Sequence, residues 1–171
     1  MTSRRPADTP PAPNTHRARG EGNPLSAIEQ QIITMLVEGT CSSTQDIARS
    51  FDISIRKATW YFDQIYAKAG ASNRTEAIAR CLQYGWVKNP ANAGKRPNFG
   101  ALKTRRRYKA LLLVGDGAGN GEIAEQLGVS LSAVGEYVQD LKNILKVDSR
   151  YQLIAIAHRK NSGLDVFRSW L

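Results

Sequence analysis

Cysteine is scarce in this 171-residue chain: Cys41 and Cys81 stand alone, without paired spacing. Two such thiols supply neither a disulfide framework nor a zinc cluster, and they fit a reducing compartment. Long apolar runs are missing as well. Nothing approaches the roughly 18 consecutive apolar residues of a membrane span, and the first residues lack the apolar core of a secretion signal, so the expected location is the cytoplasm. Histidine is represented by His16 and His158, too far apart in sequence to suggest a dyad or metal site. No convergent carboxylates and no nucleophile paired with a base stand out, so no enzyme and no cofactor is expected, and no small-molecule ligand is indicated. The run Gly115–Gly121 has glycine but neither a Gly-x-Gly-x-x-Gly pattern nor a following Lys-Ser/Thr pair. It reads as a flexible connection rather than a phosphate loop.

Acid is the other absence, and it is local. Lys88, Lys95, Arg96, Lys103, Arg105, Arg106, Arg107 and Lys109 fall between residues 88 and 109 with no Asp or Glu among them, and they account for nearly all of the net charge of +9. A sequence pI near 9.8 favours an acidic partner such as nucleic acid. Residues 1–24 mix Pro, Thr, Ala and Arg with hardly a large apolar side chain, so a disordered tail is expected there. Residues 88–102, rich in Pro, Gly and Asn, read as a basic linker between two more apolar halves, 25–87 and 103–171. The second half carries a C-terminal extension, Asp165–Leu171.

The two halves repeat one another. A shift of 76 residues places Asp46-Ile47-Ala48 over Glu122-Ile123-Ala124, Ile53-Ser54 over Val129-Ser130, Ile65 over Leu141 and Arg74 over Arg150. Upstream, a shift of 78 matches Ser26 to Thr104, Ile33 to Leu111 and Gly39 to Gly117. Each copy reads as four short helices. In the first, Leu25, Ile28, Ile32, Met35 and Leu36 recur at helical spacing behind a cap at Ser26, and Gly39 ends the run. A second helix over Thr44–Ser50 turns through Asp52-Ile53 into a third, capped by Ser54 and continuing to about Ala69. Asn73-x-x-Glu76 and Ser149-x-x-Gln152 have capping-box spacing and open the fourth helix of each copy. A short helix, a tight turn and a longer capped helix form a helix-turn-helix, whose second helix suits the major groove.

Leu25-Ser26…Glu29…Ile32-Ile33…Leu36…Gly39, then Asp46-Ile47-Ala48, Ile53-Ser54 and Ala69–Ala77 resemble the LuxR-type, or GerE-like, DNA-binding domain. The second copy resembles it over about 103–165, through Thr104, Leu111, Gly117, Asn120–Ala124, Gly128-Val129-Ser130, Leu145-Lys146-Val147 and Arg150. The resemblance implies an all-α chain of two tandem four-helix domains, recognition by helix three and dimer contacts through helix four.

The family's Thr-Val-Lys-x-His stretch on helix three is here Lys57-Ala58-Thr59-Trp60-Tyr61. If Ala58, Phe62 and Ile65 face the core, then Ser54, Arg56, Lys57, Thr59, Trp60, Gln64 and Lys68 are the candidate DNA contacts of the first copy. In the linker they are Lys95, Arg96, Lys103, Arg105, Arg106 and Arg107. The second copy offers Ala133-Val134-Gly135-Glu136-Tyr137, with Asp140 one turn on, a helix that presents negative charge to a phosphate backbone. The expected function is a bacterial transcriptional regulator that binds double-stranded DNA mainly through the first copy. The partner would be a second chain, or the two copies would pair as a covalent pseudo-dimer through helix four. The 17 residues from Val87 to Thr104 could span roughly 55 Å when extended, beyond the roughly 34 Å between successive half-sites. The alternative is an adaptor or antagonist that binds RNA polymerase or another LuxR-type regulator.

Overall fold

The computed structural model describes residues 22–93, 97–160 and 162–164. The expected tail over residues 1–21, His16, Lys95, Arg96 and the extension from Asp165 onward lie outside the described residues. The tail expectation ran through Pro24, but the chain is already tied down at Asn23: its side chain donates to the Trp86 carbonyl at 2.5 Å and accepts from Leu25 N at 3.0 Å.

Among the described residues the chain is all-helical. The first four helices are α1 (Ala27–Glu38), α2 (Thr44–Ser50), α3 (Ile55–Ala69) and α4 (Arg74–Gln83). The second four are α5 (Arg105–Gly115), α6 (Asn120–Leu127), α7 (Leu131–Leu145) and α8 (Arg150–Ala157). Their starts are set by one local device. Ser26, Ser43, Ser54, Asn73, Thr104, Ser130 and Ser149 each sit just before a helix, and each side-chain oxygen accepts the third helical N–H. Every such cap contributes about 1 kcal/mol and leaves a helix little freedom to start elsewhere. At Glu76 the expected capping box is only half formed, because its carboxylate accepts from Ser72 N and pairs with Arg80.

The inward faces merge into one core. Ile32, Leu36, Ile47, Ile65 and Ile78 from the first four helices, and Leu111, Ile123, Leu141 and Leu153 from the second four, are fully buried. The bridge between the halves is α8, which packs on α5 of its own unit and on both α1 and α4 of the other. In the second unit α5 and α8 come very close, at Gly115 against Ala157. The matching positions of the first unit hold the larger Val37 and Cys81.

Contacts across the junction come in matched pairs. Gly39 sits against the Gln152 side chain, whose Nε2 donates to the Glu38 carbonyl at 3.1 Å. Gly117 sits against the Glu76 backbone, with Thr75 Oγ1 donating to the Gly117 carbonyl at 3.2 Å. Gly39 and Gly117 are repeat equivalents, and so are Glu76 and Gln152. Repeat-equivalent residues thus meet across the junction at these two points, although α8 packs broadly on α1 whereas α4 does not pack comparably on α5. Both glycines have left-handed φ, 81° and 85°, and a Cβ at either would collide with its neighbour. The glycine-rich stretch expected to be a flexible connection is thus pinned at Gly117.

The described flanks of the connector are docked on the two units. Asn89 is buried and donates to the Ala155 carbonyl at 2.8 Å, Asn92 accepts from Lys160 N at 2.8 Å, and Tyr108 donates to the Phe99 carbonyl at 2.6 Å. Leu102, in the short turn Phe99–Leu102, is fully buried. A linker rich in Pro, Asn and Gly still carries amides and apolar groups that pack, and here they bind both flanks of the segment to the junction.

Candidate nucleic-acid interface

The front of α3 follows from its cap and its period. Ser54 fixes the start by accepting Lys57 N at 3.1 Å. From there Ala58, Phe62, Ile65 and Ala69 turn inward at spacings of three and four, as the 3.6-residue period requires. The same geometry turns Ser54, Arg56, Lys57, Thr59 and Trp60 to solvent. Trp60 remains 46% exposed although it is the bulkiest side chain on the helix. Lys57 Nζ lies 4.3 Å from its ring centroid, within cation–π range, and Tyr61 meets the same ring edge-on at 5.1 Å. Thr59 Oγ1 donates to the Ile55 carbonyl at 2.9 Å, so its hydroxyl is left to act as an acceptor. Gln64 is half-buried at the flank.

Two candidate contacts are committed elsewhere. Lys68 Nζ holds both carboxylate oxygens of Glu29, at 2.6 and 2.8 Å, and Glu29 is 2% exposed. Burial alone would raise the Glu29 carboxyl. Hydrogen bonds from Lys68 and from the Ser26 N–H and hydroxyl outweigh it and hold the group below the ordinary carboxylate range. Arg107 Nη2 lies 2.6 Å from Asp140 Oδ2. Arg107 is the repeat equivalent of Glu29, so each unit ties its first helix to its third by one ion pair, with the charges reversed. This pair also changes the expectation for α7: the Asp140 charge is answered from within the fold, and Glu136 is left as the exposed acid of that stretch. Lys68 and Arg107 are therefore fold-holding cations, whereas Lys103, Arg105 and Arg106 lie on the surface.

Sequence reasoning passed over three residues at these surfaces, Ile55, Asp63 and Gln126, and named a fourth, Lys109, only as part of the acid-free run. Ile55 opens α3 and is 52% exposed. Asp63 lies exposed one turn beyond Thr59, an acid able to accept from a cytosine amino group and unsuited to a phosphate. Both were legible from helical spacing, since neither falls at the interval of Ala58, Phe62 and Ile65. Lys109 and Gln126 join Arg105 and Arg106 around a concavity between α5 and α6. That assembly had no signal in the sequence.

On α7 the positions matching Arg56, Lys57, Thr59 and Trp60 are Ser132, Ala133, Gly135 and Glu136, and Leu131 at its front is 62% exposed. The helix has the same length and cap as α3 and none of the cations at its front.

The family model described as bacterial regulatory proteins, luxR family, matches residues 23–81 and again 104–157, covering both four-helix units. The transcriptional regulatory protein DesR of Bacillus subtilis (strain 168) is 32% identical over 68 residues, which is 40% of this chain and 33% of DesR. The match thus spans about a third of that relative's length. No solved structure matches. Among the described residues no helix is long and apolar enough to cross a membrane. With both units matched, the chain belongs to the luxR family of bacterial regulatory proteins.

Proposed function

We propose that this chain is a transcriptional regulator that binds duplex DNA in the major groove through α3, with residues 25–87 as its reading domain and 103–171 as a divergent partner domain. The observation that carries the reading is the front of α3: Arg56, Lys57, Thr59 and Trp60 all face solvent, directly opposite the buried Ala58, Phe62 and Ile65. Arg56 suits a guanine edge, Trp60 a thymine methyl, and Lys57, parked on the Trp60 ring, can move to a phosphate. The relative DesR is by name a transcriptional regulatory protein, which supports the same class. The reciprocal Gly39–Gln152 and Gly117–Glu76 contacts support a pseudo-dimer built within one chain. On this reading the target site is asymmetric, one half read closely and the other held.

Operator fragments selected from genomic DNA by the full chain test this directly. Arg56→Ala/Lys57→Ala should weaken binding to the selected fragment by about 1–3 kcal/mol for each base-edge interaction removed, roughly 5- to 150-fold each, and erase the preference over unrelated duplex. Undiminished preference in that variant overturns the assignment of α3. A second reading applies to the other unit alone: Leu131 and Glu136, both exposed on α7, favour protein over phosphate, as an adaptor surface for RNA polymerase or another LuxR-type regulator would. Under that reading Leu131→Lys leaves duplex binding unchanged and abolishes transcriptional output.

A further inference from the structure

We infer that the second unit grips the duplex backbone with its first helix instead of its third, through a phosphate cradle formed by Arg105, Arg106 and Lys109 of α5 and Gln126 of α6. The inference rests on the duplex-binding reading above and assigns the second unit a role that its α7 cannot fill. The four side chains, with Leu127, line an open concavity of about 340 Å3. Three positive groups and one amide converge on a space fit for a hydrated phosphodiester oxygen pair, with no acid among the lining residues. Among the described residues no carboxylate reaches Arg106 or Lys109 within ion-pair distance.

This arrangement is costly without an anion. Arg106 and Lys109 are like charges one turn apart, and both fall in the first two turns of α5, where the helix dipole is already positive. The first unit has nothing comparable: the matching residues are Ala27, Ile28, Gln31 and Ser50. The cations have therefore changed place between the units. The first carries them at the front of helix three and the second at the front of helix one. The cradle is also well placed to meet a backbone. Gln126 and Leu127 end α6, and the turn Gly128–Ser130 leads straight to the exposed front of α7 at Leu131, so a DNA strand running past that front passes the cradle. Arg107, in the middle of the same run, points to Asp140 and is excluded.

Binding of the full chain to a selected fragment and to an unrelated duplex, followed by anisotropy from about 50 to 300 mM salt, tests the cradle. Arg106→Glu/Lys109→Glu should lower affinity about tenfold for both duplexes, leave their ratio unchanged, and reduce the log–log salt slope by about 1 for each phosphate no longer neutralised. Arg107→Gln is the structural control and should lower the melting temperature without moving the slope. A charge-reversed variant that melts like the parent and keeps the parental slope overturns the cradle while leaving α3 as the reader. A parental chain with a flat salt response overturns the duplex reading and the cradle with it.

Discussion

The two junction glycines allow the close approach of the two units to be tested by a single methyl group at each. Alanine at Gly117 would place its Cβ 2.6 Å from Glu76 Cα, 3.0 Å from Glu76 N and 3.1 Å from the Thr75 carbonyl oxygen, all backbone atoms at the start of α4. Those atoms can retreat only if α4 moves, and overpacking of that kind costs about 1–3 kcal/mol. The φ of +85° adds about 1–2 kcal/mol for a residue with a Cβ. Gly117→Ala should therefore cost about 2–5 kcal/mol. At Gly39 the φ of +81° is nearly the same, but the first obstacle is the end of the flexible Gln152 side chain at 2.5 Å, which yields more readily than backbone by turning its Nε2 aside while Oε1 stays on Asp148 N and Ser149 N. Gly39→Ala should cost the backbone strain plus the Gln152–Glu38 hydrogen bond, about 1–3 kcal/mol in total. Urea titration of the full chain gives both numbers, and at about 2–4 °C per kcal/mol the two variants should melt several degrees apart. Equal losses, or a larger loss at Gly39, would refute the claim that backbone meets backbone at Gly117.

Three further outcomes are expected. Glu29→Gln should cost about 1–3 kcal/mol in urea titration, below the full penalty for a broken buried pair because the Lys68 side chain is 32% exposed and can turn to water; Asp140→Asn, whose pair lies nearer the surface, should cost under about 1 kcal/mol. Asp46 accepts from the Ser43 hydroxyl and from the N–H groups of Ser42 and Ser43, which hold its carboxyl at about 2, below the ordinary 3.8. A depressed carboxyl stabilises the fold above its unfolded pKa and ceases to do so as pH falls, so Asp46→Asn should flatten the acid limb of the melting curve between about pH 4 and pH 2; an unchanged limb would count against these bonds. Burial, with the nearby Glu29 charge second, pushes the Cys81 thiol up to about 12. Iodoacetamide at pH 8 should therefore reach it only through global unfolding, and labelling at the rate of a free thiol would contradict its burial.

What could be read in the chain was local. The helix starts were legible because a cap needs only the Ser, Thr or Asn and the N–H three residues on, and those starts recur on schedule in both copies. The outward front of α3 was legible for the same reason, from the spacing of Ala58, Phe62 and Ile65. Nothing local separates Arg107 from Arg105 and Arg106. It becomes a structural residue only because α7 delivers Asp140 to it from 33 residues away. Gly117 likewise belongs to a run with the composition of a loose loop, and its constraint comes from Glu76, 41 residues earlier in the chain. Asn89 shows the same limit. A polar residue in a Pro-rich connector looks solvated until the Ala155 carbonyl is placed beside it.

Joining two copies in one chain has a consequence for how they can differ. A two-fold interface between separate chains forces every substitution to appear on both sides, so a dimer cannot give up the cations of one recognition helix and keep those of the other. On the proposed pseudo-dimer reading, α4 and α8 meet within one chain at an effective concentration on the order of millimolar. Pairing with a second molecule through the same surface would have to compete with that, and the docked connector holds the internal pair closer still. Each unit is then free to change alone. The reversed ion pairs, Glu29 with Lys68 and Arg107 with Asp140, show that freedom in the fold itself. On the proposed reading the same freedom explains the interface: one unit keeps a cationic third helix to read sequence, and the other lets that helix go and holds the backbone with its first.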